Sequence, residues 1–226
     1  VGSRVERKED KRFLTGKGRY TADINLVNQT YAVFVRSPHA RAIIKKIDTS
    51  KALKSSGVVN ILTGEDIAKD KIGGLIAGWA IRSEDGSEMK CPANPPLAKD
   101  NVNFVGDPIA VVFAESLDEA KAGAELVKID YKVLKAVTNL AETMNSESIH
   151  KDIDKNLCYD WLLGDRQKVK EAFDKADKII KLDITNNRLI PNAMEPRACV
   201  IDYNTASEEI TCYTTSQNPH LSRLIM

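Results

Sequence analysis

Three apolar runs mark the first half of the chain. "YAVFVR" (31–36), "AIIKKID" (42–48) and "GVVNIL" (57–62) are rich in β-branched and aromatic residues, and turn formers bound them. That pattern predicts three strands. "SPHAR" interrupts the first pair, with Pro38 pushing Ser37 towards extended geometry. Thr63 followed by Asp66 predicts a capping box opening a short helix. Before these runs lie a polar arm at 1–14 and a tight turn around Gly16 and Gly18. After them, residues 70–104 show no sustained period and read as a long irregular loop, with short strands near "LIAGWAI".

The clearest local unit is "GDPIAVVFAESLDEAKAGAELVKIDYKVL", residues 106–134. "IAVVFA" suits a strand covered on both faces. Ser116 with Glu119 predicts a second capping box, and Leu117, Ala120, Ala124 and Val127 line one side of the helix it opens. "LVKIDY" then alternates as a half-covered strand. The expected result is a β-α-β unit whose alanine-rich helix packs close to a sheet. A polar linker at 136–160 leads to an amphipathic helix in "GDRQKVKEAFDKAD", with Val169, Ala172, Phe173 and Ala176 on one face. "KIIKLDI", "ACVIDY" and "EITCYTT" predict three more strands. In the closing "TTSQNPHLSRLIM", Asn218 is placed to cap a helix and Pro219 to start it, followed by an apolar stripe of Leu221, Leu224 and Ile225.

Composition excludes more than it adds. The 226 residues can bury a sizeable core as one large domain or two small ones. With 33 basic against 32 acidic residues, the net charge of +1 argues against a dedicated nucleic-acid or membrane-surface binder. No stretch has the roughly 18 apolar residues of a membrane span. The charged start "VGSRVERKEDKRF" lacks the apolar centre of a signal peptide. Cysteines at 91, 158, 199 and 212 form no CxxC and no metal-ligand spacing with histidine, so free thiols in a reducing cytoplasm are expected.

Several general site patterns are missing: GxGxxG, the P-loop, GxSxG, HExxH and a cysteine-rich metal cluster. His39, His150 and His220 are too scattered to suggest a ligand set. Two segments stand out instead. "PNAMEPRACVIDY" places Glu195 and Arg197 on either side of Pro196, where they could form a local ion pair or support a site. "TTSQNPH" puts Gln217 between a strand and a helix N-terminus, where backbone N–H groups gather. A glutamine amide there can donate to an oxo or phosphate oxygen without adding charge.

Six segments appear in a telling order: "GKGRYTADI", "VRSPHARAIIKKID", "GVVNILTGEDI", "VGDPIAVVFAESLDEAKAGAELVKIDY", "NAMEPRACVIDY" and "TTSQNPHLSRLIM". Together they resemble the N-terminal part of molybdenum hydroxylase large subunits, the xanthine dehydrogenase and aldehyde oxidase family. The "SPHAR" and "MEPR" wording looks most like the large chain of aerobic carbon monoxide dehydrogenase and its relatives.

The resemblance implies an α+β chain. An α/β hammerhead domain would span 15–135 after the arm at 1–14, and the linker at 136–160 would lead to the beginning of a molybdopterin-binding domain at 161–226. It implies that Gln217 hydrogen-bonds a molybdenum oxo ligand, with Glu195 and Arg197 as possible active-site support. A molybdopterin-dependent oxidoreductase is the implied enzyme, with cofactor in the cytosine dinucleotide form. Its implied partners are an FAD-binding medium subunit, a [2Fe-2S] small subunit and a second copy of the large subunit. The family's glycine-rich GGxFG-type loop, base glutamate and copper-binding cysteine are absent from these residues, so this chain is expected to be inactive as an isolated fragment. The alternative is a free-standing, non-catalytic hammerhead module for binding or assembly.

Overall fold

The computed structural model describes residues 2–75, 77–193 and 195–226. Its strands are β1 (Tyr31–Arg36), β2 (Ala42–Asp48), β3 (Val58–Thr63), β4 (Asn101–Val102), β5 (Pro108–Ala114), β6 (Lys128–Val133), β7 (Cys199–Asn204) and β8 (Glu209–Thr214). Its helices are α1 (Asp10–Leu14), α2 (Gly64–Lys69), α3 (Leu117–Leu126), α4 (Arg166–Asp174) and α5 (Pro219–Ile225). These elements fall into two compact units: Thr30–Lys181, and residues up to Gln29 together with Leu182–Met226.

In the larger unit, β5 is apolar on both faces and accepts a strand along each edge. The sheet order is β1-β5-β3, and both pairings are antiparallel, with Val112 opposite Val33 on one side and Ile61 on the other. Successive side chains of a strand point to opposite faces. Ile109 therefore packs with Ala42, Ala98 and Val102, whereas Ala110 and Val112 pack with Ala52 and Ile61.

The expected β-α-β unit does not form as such. β6 belongs to a second sheet, ordered β4-β2-β6, and pairs antiparallel with β2. Because β1 and β3 occupy both edges of β5, β6 must find its ladder elsewhere. α3 still joins the two strands and packs on the first sheet through small residues. Ala120 is fully buried, and a Cβ added at Gly123 would sit 2.8 Å from Val58 Cγ2 and 3.0 Å from Val112 Cγ1. Leu117, expected on that buried face, is largely exposed. Ser116 caps the helix as predicted, accepting from the Glu119 N–H and donating to Glu119 Oε2 at 2.8 Å.

Of the two predicted boxes, only Thr63–Asp66 closes in full: Asp66 Oδ2 accepts from the Thr63 N–H and hydroxyl, each at 2.8 Å, whereas among the described residues the Glu119 carboxylate bonds only the Ser116 hydroxyl. These bonds, the backbone one first, hold the Asp66 carboxyl below its ordinary value of 3.8. A depressed folded pKa contributes stability that is present above the unfolded value and is lost as pH falls through the folded one. Asp66→Asn is therefore expected to lower the urea midpoint at neutral pH. The difference from the parent should shrink as the pH falls below that ordinary value and on through the depressed one. An equal deficit at both pH values would show that the carboxylate charge is not what matters.

Residues 70–104 are irregular, as expected, yet they are anchored. Leu97 and Ala98 are buried, the Ala98 N–H donates to Pro108 O at 2.7 Å, and β4 joins β2. The short strands predicted near 75–81 are not found among the described residues, and Ile76 lies outside them. The polar stretch at 136–160 is tied down by the buried Arg41, which donates to Lys135 O (3.3 Å) and Ser148 O (3.1 Å) and pairs with Glu147 (3.2 Å). α4 forms as predicted, with Asp165 accepting from the Lys168 N–H, but its Val169 and Phe173 are exposed.

The smaller unit contains α1, a 3-10 turn at Thr21–Asp23, the β7–β8 hairpin and α5. The strand expected at 178–184 is absent: the described residues there have no ladder partner, and Ile179, Ile180, Leu182 and Ile184 are exposed. Strand propensity alone does not satisfy a backbone's donors and acceptors.

Candidate functional site

Both segments singled out in the sequence leave the same end of one hairpin. β7 begins two residues after Arg197, and β8 ends three residues before Gln217, with Cys199 facing Thr214 across the ladder. The Thr215 N–H donates to Ala198 O at 3.3 Å, carrying the pairing one step further towards that open end.

Glu195 is half-buried, and its Oε1 accepts from the Thr21 N–H at 3.1 Å. The local ion pair with Arg197 is not formed: Glu195 holds its loop to the 3-10 turn instead, across 174 residues of sequence. Arg197 is exposed and in no ion pair among the described residues. Its guanidinium is thus available for an acceptor at the mouth of the hairpin.

Gln217 is exposed, in a turn whose neighbours are all engaged. Ser216 Oγ accepts from the Asn218 N–H at 3.2 Å and meets Ser222 Oγ at 2.7 Å. Asn218 Oδ1 accepts from the Leu221 N–H at 3.2 Å, the helix cap predicted for it. Among the described residues, the Gln217 side chain itself makes no hydrogen bond. The turn is therefore fixed while its amide is uncommitted, which suits donation to an oxo or oxyanion oxygen without a compensating charge. No group of three His, Cys, Asp or Glu gathers among the described residues. What the hairpin mouth presents is hydrogen-bond donors, the Gln217 amide and the Arg197 guanidinium.

The structure gives the histidines separate surroundings: His39 packs edge-on against Tyr131, with ring centroids 4.9 Å apart, in the larger unit, whereas His220 lies in the first turn of α5. It does bring together two cysteines that sequence spacing left unrelated, Cys199 and Cys212. Aligning the predicted strands as a hairpin was the signal that could have found them.

Residues 15–135, more than half of the chain, match the family described as aldehyde oxidase and xanthine dehydrogenase, a/b hammerhead domain. The chain belongs to this family. Residues 149–226 match the molybdopterin cofactor-binding domain. The fold is thus a hammerhead followed by the start of a molybdopterin-binding domain. Among curated relatives, the chain is 32% identical to the nicotine 6-hydroxylase large subunit of Paenarthrobacter nicotinovorans, covering 100% of this chain and 27% of the relative. It is 31% identical to the carbon monoxide dehydrogenase large chain of Afipia carboxidovorans, covering 100% of this chain and 28% of the relative. A solved Cu,Mo-CO dehydrogenase superposes with a TM-score of 0.83 at 29% identity, over 99% of this chain and 29% of that one. The chain therefore spans little more than a quarter of the length of these family members. No helix among the described residues is long and apolar enough to cross a membrane.

Proposed function

We propose that the complete protein is the molybdenum-binding catalytic subunit of a molybdenum hydroxylase. In this reading residues 15–135 are its hammerhead domain, 136–160 a linker and 161–226 the opening of its cofactor-binding domain. The observation that carries the proposal is the uncommitted amide of Gln217, held at a hairpin mouth inside a stretch that matches a molybdopterin cofactor-binding domain.

When bound, the molybdenum cofactor supplies a two-electron oxidation of the substrate. Gln217 would donate its amide N–H to an oxygen of that group, stabilising negative charge without adding any. Glu195 fixes the loop that carries Arg197, so the guanidinium stays at the hairpin mouth as a second donor. Carbon monoxide, an aldehyde and an aromatic heterocycle all remain substrate classes for this subunit, because relatives named for different substrates are almost equally similar. The cofactor is the cytosine dinucleotide form. The partners are a [2Fe-2S] small subunit and an FAD-binding medium subunit, which would carry the electrons onward, with a second large subunit completing the assembly, and the whole works in the cytoplasm.

The alternative of a self-contained binding module is disfavoured by α5, whose Leu221, Leu224 and Ile225 are at least half exposed. Metal analysis tests the proposal. The complete protein, made in cells that synthesise the cofactor, is expected to carry stoichiometric molybdenum, and the 226-residue chain alone to carry none. A complete protein free of molybdenum would overturn the reading.

A further inference from the structure

Two of the four cysteines meet. Cys199 on β7 and Cys212 on β8 have their sulfurs 3.7 Å apart, whereas Cys91 and Cys158 stand as separate free thiols. The ladder explains the approach. Cys199 faces Thr214 and Ile201 faces Cys212, so the two cysteines share one face of the hairpin, diagonally placed. Diagonal neighbours are commonly about 7–8 Å apart at Cα, beyond the roughly 4.4–6.8 Å that disulfides favour. A two-stranded ribbon twists more than a wide sheet, and that twist closes one of its diagonals. The sulfur separation identifies this diagonal as the closed one. β7 and β8 pair only with each other among the described residues, so the ribbon can flex without disrupting a third strand.

We propose that Cys199 and Cys212 form a peroxide-oxidisable dithiol, a modification site at which a reversible disulfide staples β7 to β8. Cys199 is exposed and Cys212 half-buried, which suits the first as the attacking group and the second as the resolving one. The Cys199 thiolate attacks one oxygen of hydrogen peroxide. The O–O bond breaks, Cys199 becomes a sulfenic acid, and the departing hydroxide takes up a proton to become water. The Cys212 sulfur then attacks the Cys199 sulfur. The S–O bond breaks, the S–S bond forms, and the hydroxyl leaves with the Cys212 proton as a second water. The two sulfurs together lose two electrons and the peroxide gains two. A small dithiol reductant reverses the change.

Partial desolvation of the thiol, and secondarily its contact with Cys212, hold the otherwise exposed Cys199 above its ordinary pKa, so oxidation should quicken as pH rises. The bond would cross the ladder between the segment carrying Glu195 and Arg197 and the segment carrying Gln217. Oxidation would thereby fix the spacing of the two strands behind the hairpin mouth.

Differential alkylation of the complete protein tests the proposal. After peroxide treatment the protein is denatured in iodoacetamide and digested with trypsin. No Lys or Arg lies between Ala198 and Arg223, so both cysteines report in one peptide, 198–223. That peptide is expected to lose two hydrogens and take no label, and dithiothreitol should restore two alkylatable thiols. Peptides carrying Cys91 and Cys158 should remain labelled. Cys199→Ser and Cys212→Ser, changes small enough to leave the hairpin intact, should each abolish the two-hydrogen loss. The proposal is overturned if both thiols take label under peroxide that converts a free dithiol control. Sulfinic acid without a cross-link, or cross-links to Cys91 or Cys158 in their place, would overturn it equally.

Discussion

Replacing Gln217 by alanine in the complete enzyme is expected to lower kcat by about 10²–10³-fold, the usual cost of deleting one preorganised donor to a developing negative charge. The side chain is exposed and makes no hydrogen bond among the described residues, so the deletion removes no contact that holds the chain together. Molybdenum content and thermal midpoint should therefore stay at the parent values while turnover falls. Gln217→Glu is expected to be as damaging as alanine. A carboxylate keeps the shape but can only accept, and it brings negative charge towards an oxygen that needs a donor. A variant with unchanged kcat would remove Gln217 from the machinery, and one that lost its metal would make it a structural anchor.

The second large effect concerns stability. Ile109 is fully buried on β5, against Ala42, Ala98 and Val102. Three of its neighbours are already small or stiffly branched, so they cannot collapse into a vacated volume. Ile109→Ala should cost about 2–5 kcal/mol, and Ile109→Val about 0.5–1.5 kcal/mol. Urea denaturation reads both: the midpoint should fall in that order with little change in slope. Ile180→Ala serves as the contrast, because Ile180 is 81% exposed in an unpaired segment and its loss should cost less than about 0.5 kcal/mol. Equal losses at 109 and 180 would mean that burial is not what Ile109 contributes.

The difference between these two isoleucines also shows what the chain order reveals. Both sit in apolar runs with strand character, and local pattern treats them alike. β1, β2 and β5 were legible because their composition and boundaries are local properties. Which strand pairs with which is not local: β6 leaves the neighbourhood of β5 because other strands already hold both of its edges. "KIIKLDI" has the residues of a strand and finds no partner among the described residues.

Site residues divide in the same way. Gln217 could be singled out from its own surroundings, since a strand followed by Asn-Pro announces a junction and the cap formed as expected. Glu195 stands out too, but its partner could not be read, because its hydrogen bond goes to Thr21 and nothing near "MEPR" announces a partner so remote. The sulfur pair required register as well as strand assignment: only when Ile201 is set opposite Cys212 do the two thiols fall on one face.

Arg41 has a practical consequence. Composition alone would mark the polar stretch after residue 135 as a convenient place to divide the chain. Yet the guanidinium is 7% exposed and draws its acceptors from Lys135, Glu147 and Ser148. A truncation after residue 135 would strip away Glu147 and Ser148, leaving a desolvated cation short of partners. A stable excised fragment must therefore extend at least through Ser148, so the polar stretch travels with the strands it follows.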